Sequence, residues 1–454
     1  MFIKHKHFFS AVIFLISIQI TTAPIYAQTK VTLQGAIDLT LKNNLQIKKA
    51  VLGVVADSLD VLKAKVSIYP NLNASISGNQ YFGRSLDPTT NLYLTQNAFS
   101  STDNLASNVI LFQGFQKINQ IKQNKFILES NKSNIKKLKN DLTIQVISNY
   151  LAVMNYTDQL LTAKQQNELA KQLLDIESKK FDAGKKSITD LSKAKSQVTK
   201  TEVNVSTIKS QLNNSIIELK QLMNEDPNVT LEFVEPTGNT LSPKEHAVAE
   251  IYKYAVSVFP EIKKAEFLKQ SAEAGLSIAK GGYYPAISLN SVVATNYLYQ
   301  YHFTPSLFGP YSQSPFFKQL HSNLYGYIGL ALNIPIFNNL NVKMAVKKAK
   351  LDLEGVTIDE QIAKNNLYKI IAQATSDLEA AEKNYADAQQ SVATAKDLFN
   401  VMQRRYQSGS SNSFDFNQAQ NDLNTAQFTL IYDKYDLIFK EKVIDFYSGQ
   451  PIAY

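Results

Sequence analysis

Two carboxylates recur in one setting. Asp190 follows Gly184 by six residues in KKFDAGKKSITDLSKAKSQV (Lys179–Val198), and Asp415 follows Gly409 by six in RRYQSGSSNSFDFNQAQNDL (Arg404–Leu423). Carboxylates brought to one opening by several chains attract cations and repel anions. Their mutual repulsion raises some pKa values or recruits metal ions. A carboxylate in the first turn of a helix also complements the helix dipole, with no further role. The spacing is compatible with both readings.

Other chemistry is scarce. The chain has no cysteine, which removes disulfides, thiolate catalysis, cysteine metal sites and the attachment point of an N-terminal lipid anchor. Beyond residue 27 the histidines are His246, His302 and His321, at no metal-ligand spacing. No nucleophile stands beside a base, and no carboxylates pair across a cleft. The sequence therefore predicts no catalytic residue, no cofactor and no metal: not an enzyme. The formal net charge is +8. Its lysines interleave with acids and amides along helical patterns, which reads as a solvated face and excludes nucleic acid as a partner.

The elements that position the carboxylates are duplicated. IKKA at Ile47–Ala50 recurs at Ile262–Ala265, and Pro70 in SIYPNLNAS recurs as Pro285 in GGYYPAISL, both 215 residues on. Phe112 in VILFQGF recurs as Phe337 in NIPIFNNL, and Gly184 as Gly409, both 225 residues on. The stretch from phenylalanine to glycine thus keeps one length in both copies. An internal repeat of this size governs the fold before any single residue does. Residues 1–27 read as a signal peptide, with Lys4 and Lys6, an apolar run Phe8–Ile20 and a cleavage site at Ile25-Tyr26-Ala27. The repeats are expected at 28–235 and 236–454. No later run reaches the roughly 18 apolar residues of a membrane-crossing helix.

Each copy reads as helix, strand, strand and long helical hairpin. Ser242-Pro243-Lys244-Glu245 carries the start signals of the second opening helix. Leu72, Ala74 and Ile76 alternate with Asn73, Ser75 and Ser77, and Ile328–Ile334 alternates likewise. Such strands suit a half-buried sheet or a membrane barrel. Four strands cannot close a filled barrel, and an isolated sheet leaves exposed edges. Closure by several identical chains is therefore expected. Arg84–Thr102 and Tyr301–Asn323 read as exposed loops.

From Gly114 to Asp226 there is no proline, and the only internal glycine is Gly184. A helix from Phe115 to Lys179 would be on the order of 100 Å long. Ile135, Leu138, Leu142, Val146, Tyr150 and Val153 form its apolar stripe. Ala372, Ala374, Ala380, Ala381, Ala386, Ala388, Ala393 and Ala395 give the second hairpin a small-residue surface, and together these predict an antiparallel coiled coil. Gly184 and Gly409 suit helix C-termini, with Ser187 and Ser413 expected as the following N-caps.

In order and duplication these segments resemble the TolC family of outer-membrane efflux and secretion channels. VTLQGAIDLTLKNNLQIKKA looks like the family's opening helix. SIYPNLNAS and VILFQGF look like its helix–strand junctions, and the two glycine-containing turns look like its periplasmic hairpin tips. The resemblance implies a mainly α fold with a small β part, built of tandem-duplicated long antiparallel coiled-coil hairpins. Four strands per chain would enter a 12-stranded transmembrane β-barrel of a homotrimer, continued by an α-helical periplasmic tunnel. It implies a passive exit duct in the outer membrane of a Gram-negative bacterium. Such a duct docks to a periplasmic adaptor (membrane fusion) protein and, through it, to an inner-membrane pump of a tripartite efflux or type I secretion system. Asp190, Asp415 and Tyr406 match the family's aperture. Gln418 stands where an aspartate is common, and Ser411 where an arginine is. Phe181, Gly184, Lys185, Lys186, Arg405, Gly409, Ser410 and Ser411 fall on the adaptor-docking turns. Lys185-Lys186 against Ser410-Ser411 suggests two unlike docking grooves. A periplasmic coiled-coil adaptor or scaffold would explain the hairpins but not the paired strands.

Overall fold

The computed structural model describes residues 29–86, 91–95, 97–235, 247–300 and 314–450. The signal segment and Ser242–Glu245 lie outside them. In chain order the elements are β1 (Thr29–Val31), α1 (Leu33–Asn43), α2 (Leu45–Val66), β2 (Asn71–Tyr81), β3 (Arg84–Leu86), β4 (Tyr93–Thr95) and β5 (Ala98–Gln113). Then come α3 (Gln116–Asp182), α4 (Ile188–Met223), β6 (Leu231–Phe233), α5 (Val248–Val258), α6 (Pro260–Gly281) and β7 (Ala286–Gln300). The chain closes with α7 (Phe316–Ser322), β8 (Tyr325–Asn333), α8 (Asn341–Gln407) and α9 (Ser413–Tyr447).

The opening helix of each repeat is two helices, not one. Asn44 interrupts the first, its side chain accepting from the Gln46 amide and donating to Leu222 O. Pro260 interrupts the second by removing a backbone donor. The long helices α3 and α8 each run 67 residues, as the equal repeat spacing requires.

Two compact units are present, and both repeats contribute to each. One comprises Lys49–Lys137 and Val256–Leu367. Its sheet is antiparallel in the order β2-β5-β7-β8, with a bulge between Ile110 and Phe112. Cross-strand partners share a face, so the register sorts most of the side chains. Leu72, Ile76, Leu105, Leu289, Val293, Ile328 and Leu330 lie on one face, with Asp103, Ser107 and Ser291 among them; Asn71, Asn73, Ser75, Asn104, Asn108 and Asn290 lie on the other, with Val292, Tyr325 and Tyr327. Asn108 donates its amide to Asn290 across β5 and β7. The apolar face is open: Ile76 is 82% and Ile328 77% exposed. Among the described residues β2 and β8 each have one unpaired edge.

The expected loops carry structure. β3 and β4 pair within the first, and β5 begins at Ala98, inside the range read as loop. In the second, α7 packs on β7: Thr295 Oγ1 donates to Leu320 O at 2.6 Å, and the Gln319 amide bonds both backbone groups of Leu298. Pro315 stands at the N-cap of α7 and Gly83 precedes β3, residues that read as loop signals in the sequence; side-chain bonds to a neighbouring strand hold α7.

Strand gives way to helix through two consecutive left-handed residues in both repeats. These are Gly114 and Phe115 (φ 55° and 60°) and Asn339 and Leu340 (φ 52° and 61°). A Cβ on Gly114 would sit 2.2 Å from Gly281 O, so only glycine fits there.

The other unit comprises the described residues up to Lys48, Leu138–Ala255 and those from Tyr368 onward. Val146, Ile147, Tyr150, Leu151, Leu219 and Met223 pack with Ala36 and Ile37 in its core. The Tyr150 hydroxyl lies 2.9 Å from Val31 O and 2.6 Å from Val234 O, fastening the parallel pair β1–β6. Burial pushes its phenol up to about 12. Along α8, Ile371, Ala374, Leu378, Ala381, Ala388, Phe399 and Tyr406 are buried on alternating three- and four-residue steps or their sums, the seam of a coiled coil. Of the alanine surface expected there, Ala374, Ala381 and Ala388 lie on that seam, while Ala380, Ala386 and Ala393 are exposed. Among the described residues no helix is long and apolar enough to cross a membrane.

Candidate functional site at the hairpin turns

Both turns are built alike. Helix α3 ends with Gly184 N donating to Phe181 O and Lys185 N to Lys180 O; α8 ends with Gly409 N to Tyr406 O and Ser410 N to Arg405 O. Gly184 (φ 69°) and Gly409 (φ 78°) supply the left-handed residue this closure needs.

The returning helices start differently. Ser187 caps α4 in a reciprocal box with Asp190. Ser413 is not the cap of α9. Asn412 takes that place, accepting from Asp415 N at 2.9 Å. Ser413 is left to donate its hydroxyl to Asp190 Oδ1 at 3.1 Å, joining the two hairpins. The Ser187 hydroxyl, then Ser413 and the Lys186 charge, hold the Asp190 carboxyl below its ordinary value of 3.8.

Beside this bond Tyr406 stacks on Phe416, with centroids 4.9 Å apart and planes 11° from parallel. Lys186 Nζ lies 4.6 Å over the Tyr406 ring and donates to its hydroxyl at 3.3 Å. The same ammonium is 3.8 Å from Glu177, which is 5% exposed and also pairs with Lys180 at 3.4 Å. Burial pushes the Tyr406 phenol up, and the Glu177 and Asp190 carboxylates add to this. A cavity of about 30 Å³ lies among Glu177, Asp190, Lys193, Tyr406, Phe416 and Gln420, enough for a single water. Gln420 is 1% exposed, and neither atom of its amide meets a hydrogen-bond partner among the described residues.

Of the residues matched to an aperture, the structure brings Asp190 and Tyr406 into one cluster. Asp415 and Gln418 are exposed, and Gln418 donates to Asp422 at 2.8 Å. Of the turn residues, Gly184, Lys185, Arg405, Gly409 and Ser410 are exposed, with Phe181 and Ser411 partly so. Lys186 instead turns inward onto Tyr406. Phe416, Glu177 and Gln420 were not among the expected site residues. A signal for Glu177 existed: it continues the seven-residue step of Ala163 and Ala170, which are both buried. No three His, Asp or Glu side chains group to hold a metal among the described residues.

The chain thus has paired glycine turns on helices of equal length and a four-stranded sheet with an open, mainly apolar face. The profile of the outer membrane efflux protein family matches residues 36–225 and 253–449, and the chain belongs to that family. It is similar to the outer membrane efflux protein BepC of Brucella suis, 21% identical over 415 residues, covering 90% of this chain and 83% of that one. Similarity to the outer membrane protein TolC of Escherichia coli is 22% over 303 residues, covering 66% and 59%. In structure it resembles the channel OprN (TM-score 0.78, 15% identity, 92% and 90% covered). It also resembles CusC (0.77, 17%, 92% of each) and VceC of Vibrio cholerae (0.76, 14%, 92% and 96%). The chain is the outer-membrane channel component of an export assembly.

Proposed function

We propose that three copies of this chain close a 12-stranded barrel in the outer membrane of a Gram-negative bacterium, after removal of residues 1–27 and without a lipid anchor. The helical hairpins extend as a tunnel into the periplasm. One observation carries this: the sheet has an open, mainly apolar face, an opposite face rich in asparagine and serine, and, among the described residues, unpaired edges at β2 and β8. Lipid against the first face, water against the second and edge-to-edge pairing between copies satisfy all three at once. The assembly is a passive duct, and its cargo is chosen by the pump.

The turns serve two tasks in this reading. Asp190 with Ser413, and Lys186 with Tyr406, tie the hairpins of one chain at the tip, while the exposed Asp415 and Gln418 face the aperture. Phe181, Gly184 and Lys185 form one adaptor-docking rim, and Arg405, Gly409, Ser410 and Ser411 the other. The inward turn of Lys186 leaves Lys185 as the cation offered by the first. The test is to purify the full chain in detergent, weigh the complex and record single-channel currents in planar bilayers. A trimer that conducts is expected. A monomer that inserts no conductance would overturn the proposal.

A further inference from the structure

The basic excess of the chain is not spread evenly. Where the helices meet the sheet, charge is segregated. The first eleven residues of α8 carry Lys343, Lys347, Lys348 and Lys350 and no acid, and the first thirteen of α3 carry Lys117, Lys122 and Lys125 and no acid. The last turns of α2 and α6 add Lys63, Lys65 and Lys280, again with no acid. These four helix ends are in contact. Lys117 Nζ donates to Ser67 O at 2.7 Å, and Gln116 Nε2 to Ile278 O at 3.1 Å. A Cβ on Gly282 would touch Val342 at 3.0 Å.

Lys117 and Lys343, in the first turns of α3 and α8, oppose the helix dipole, and a local rule broken in both copies is where a task other than folding is expected. On the sheet side of this band stand exposed aromatics: Tyr69 at 71%, Tyr283 at 56%, Phe115 at 60% and Phe337 at 76%. The order along the chain is therefore apolar strand, aromatic residue, lysine. That is the order of a membrane boundary, from hydrocarbon through interface to headgroup.

We propose that this lysine band binds the headgroups of anionic phospholipids in the leaflet that faces the helices, an inference that rests on the barrel reading above. Lys343 and Lys347 lie within ~9 Å of the start of α8 at 1.5 Å per residue. The headgroup layer is about 5–7 Å deep, and a lysine stem reaches several ångströms further. Lys343, Lys347, Lys348 and Lys350 are all exposed. The nearest acids on the same helix, Asp352 and Glu354, follow one turn after Lys348 and Lys350, and among the described residues no ion pair ties up any of the four lysines.

The test reconstitutes the full chain into vesicles of phosphatidylethanolamine with a minority of phosphatidylglycerol. The protein is then extracted with its surrounding lipid in polymer nanodiscs, and the lipid is quantified. Phosphatidylglycerol should be enriched at least twofold over the bulk. K343Q/K347Q/K348Q/K350Q should bring it to the bulk ratio, and the fourfold Lys→Arg variant should keep it. Resistance to carbonate extraction reports insertion separately. A chain that inserts without enrichment, or whose Gln variant keeps it, overturns the lipid site alone. A chain that does not insert overturns the barrel as well. Enrichment that stays at bulk while the Gln variant loses capture of an adaptor assigns the band to a protein partner and refutes the proposal.

Discussion

Replacing Lys186 by methionine keeps the stem and removes the ammonium from Tyr406. The ammonium contributes a cation–π contact at 4.6 Å and a long hydrogen bond at 3.3 Å. A partly desolvated cation–π contact is worth about 1–2 kcal/mol and a hydrogen bond of this length adds little. The Lys186–Tyr406 coupling should thus be about 1–2 kcal/mol, a factor of roughly 5–30. K186M alone should cost more, because Glu177, at 5% exposure, then loses one of its two ammonium partners and keeps Lys180 and Tyr406. That extra loss cancels in a double-mutant cycle with Y406L. The assay is the open-to-closed ratio of single channels in planar bilayers. K186M and Y406L should each raise it, with the double variant showing less than the sum, while K186R holds it near the native ratio. A coupling below about 0.3 kcal/mol, with normal insertion of every variant, would refute the tie between the hairpins.

Four further outcomes are expected. D415N should weaken cation block of the channel current, measured by titrating a divalent cation into the bilayer chamber; unchanged block removes the aperture role of Asp415. Since Asp190 is held below 3.8, its contribution to tip order is full above that value and is lost only as pH falls through its lowered pKa. Amide exchange at the α4 cap should therefore stay slow down to about pH 4. G281A should destabilise the strand–helix junction by more than about 1–3 kcal/mol, read as a fall in the thermal midpoint, because its Cβ would sit 2.6 Å from Gly114 O and 2.5 Å from Gln116 Cγ. Y150F should cost about 1–3 kcal/mol by leaving two carbonyls without their shared donor. With the native phenol at about 12 against an ordinary value of 10, that stabilisation is complete below pH 10 and fades as pH rises toward 12.

The lengths of the two long hairpin helices, the four strands of the main sheet and both turns were legible because the duplication offers each signal twice; the short pairs β1–β6 and β3–β4 were not. A glycine 72 residues after a phenylalanine in both copies leaves little freedom for the helix between. Polar partners across elements were not legible. Ser413 looked like a cap because Ser187 is one, but Asn412 competes for the same amide and wins. Lys186 looked like a surface cation until the fold set it over the ring of a residue 220 positions away. Helix α7 was invisible since seven residues carry no period long enough to recognise, and its bonds to β7 come from the fold rather than from its own sequence. The lysine band was masked by reading charge along the chain; it emerges only when four helix ends separated in sequence are brought side by side.

The left-handed pairs at the two strand–helix junctions share one backbone yet are not interchangeable parts. Gly114-Phe115 could be grafted onto positions 339–340 with its conformation intact, since glycine enters that region freely. The reverse graft fails at its first atom, because any Cβ at 114 meets Gly281 O at 2.2 Å. Exchange is permitted in one direction only. The halves of this chain, alike in outline, have a fixed order: a circular rearrangement that preserves every element would still have to leave residue 114 bare beside residue 281.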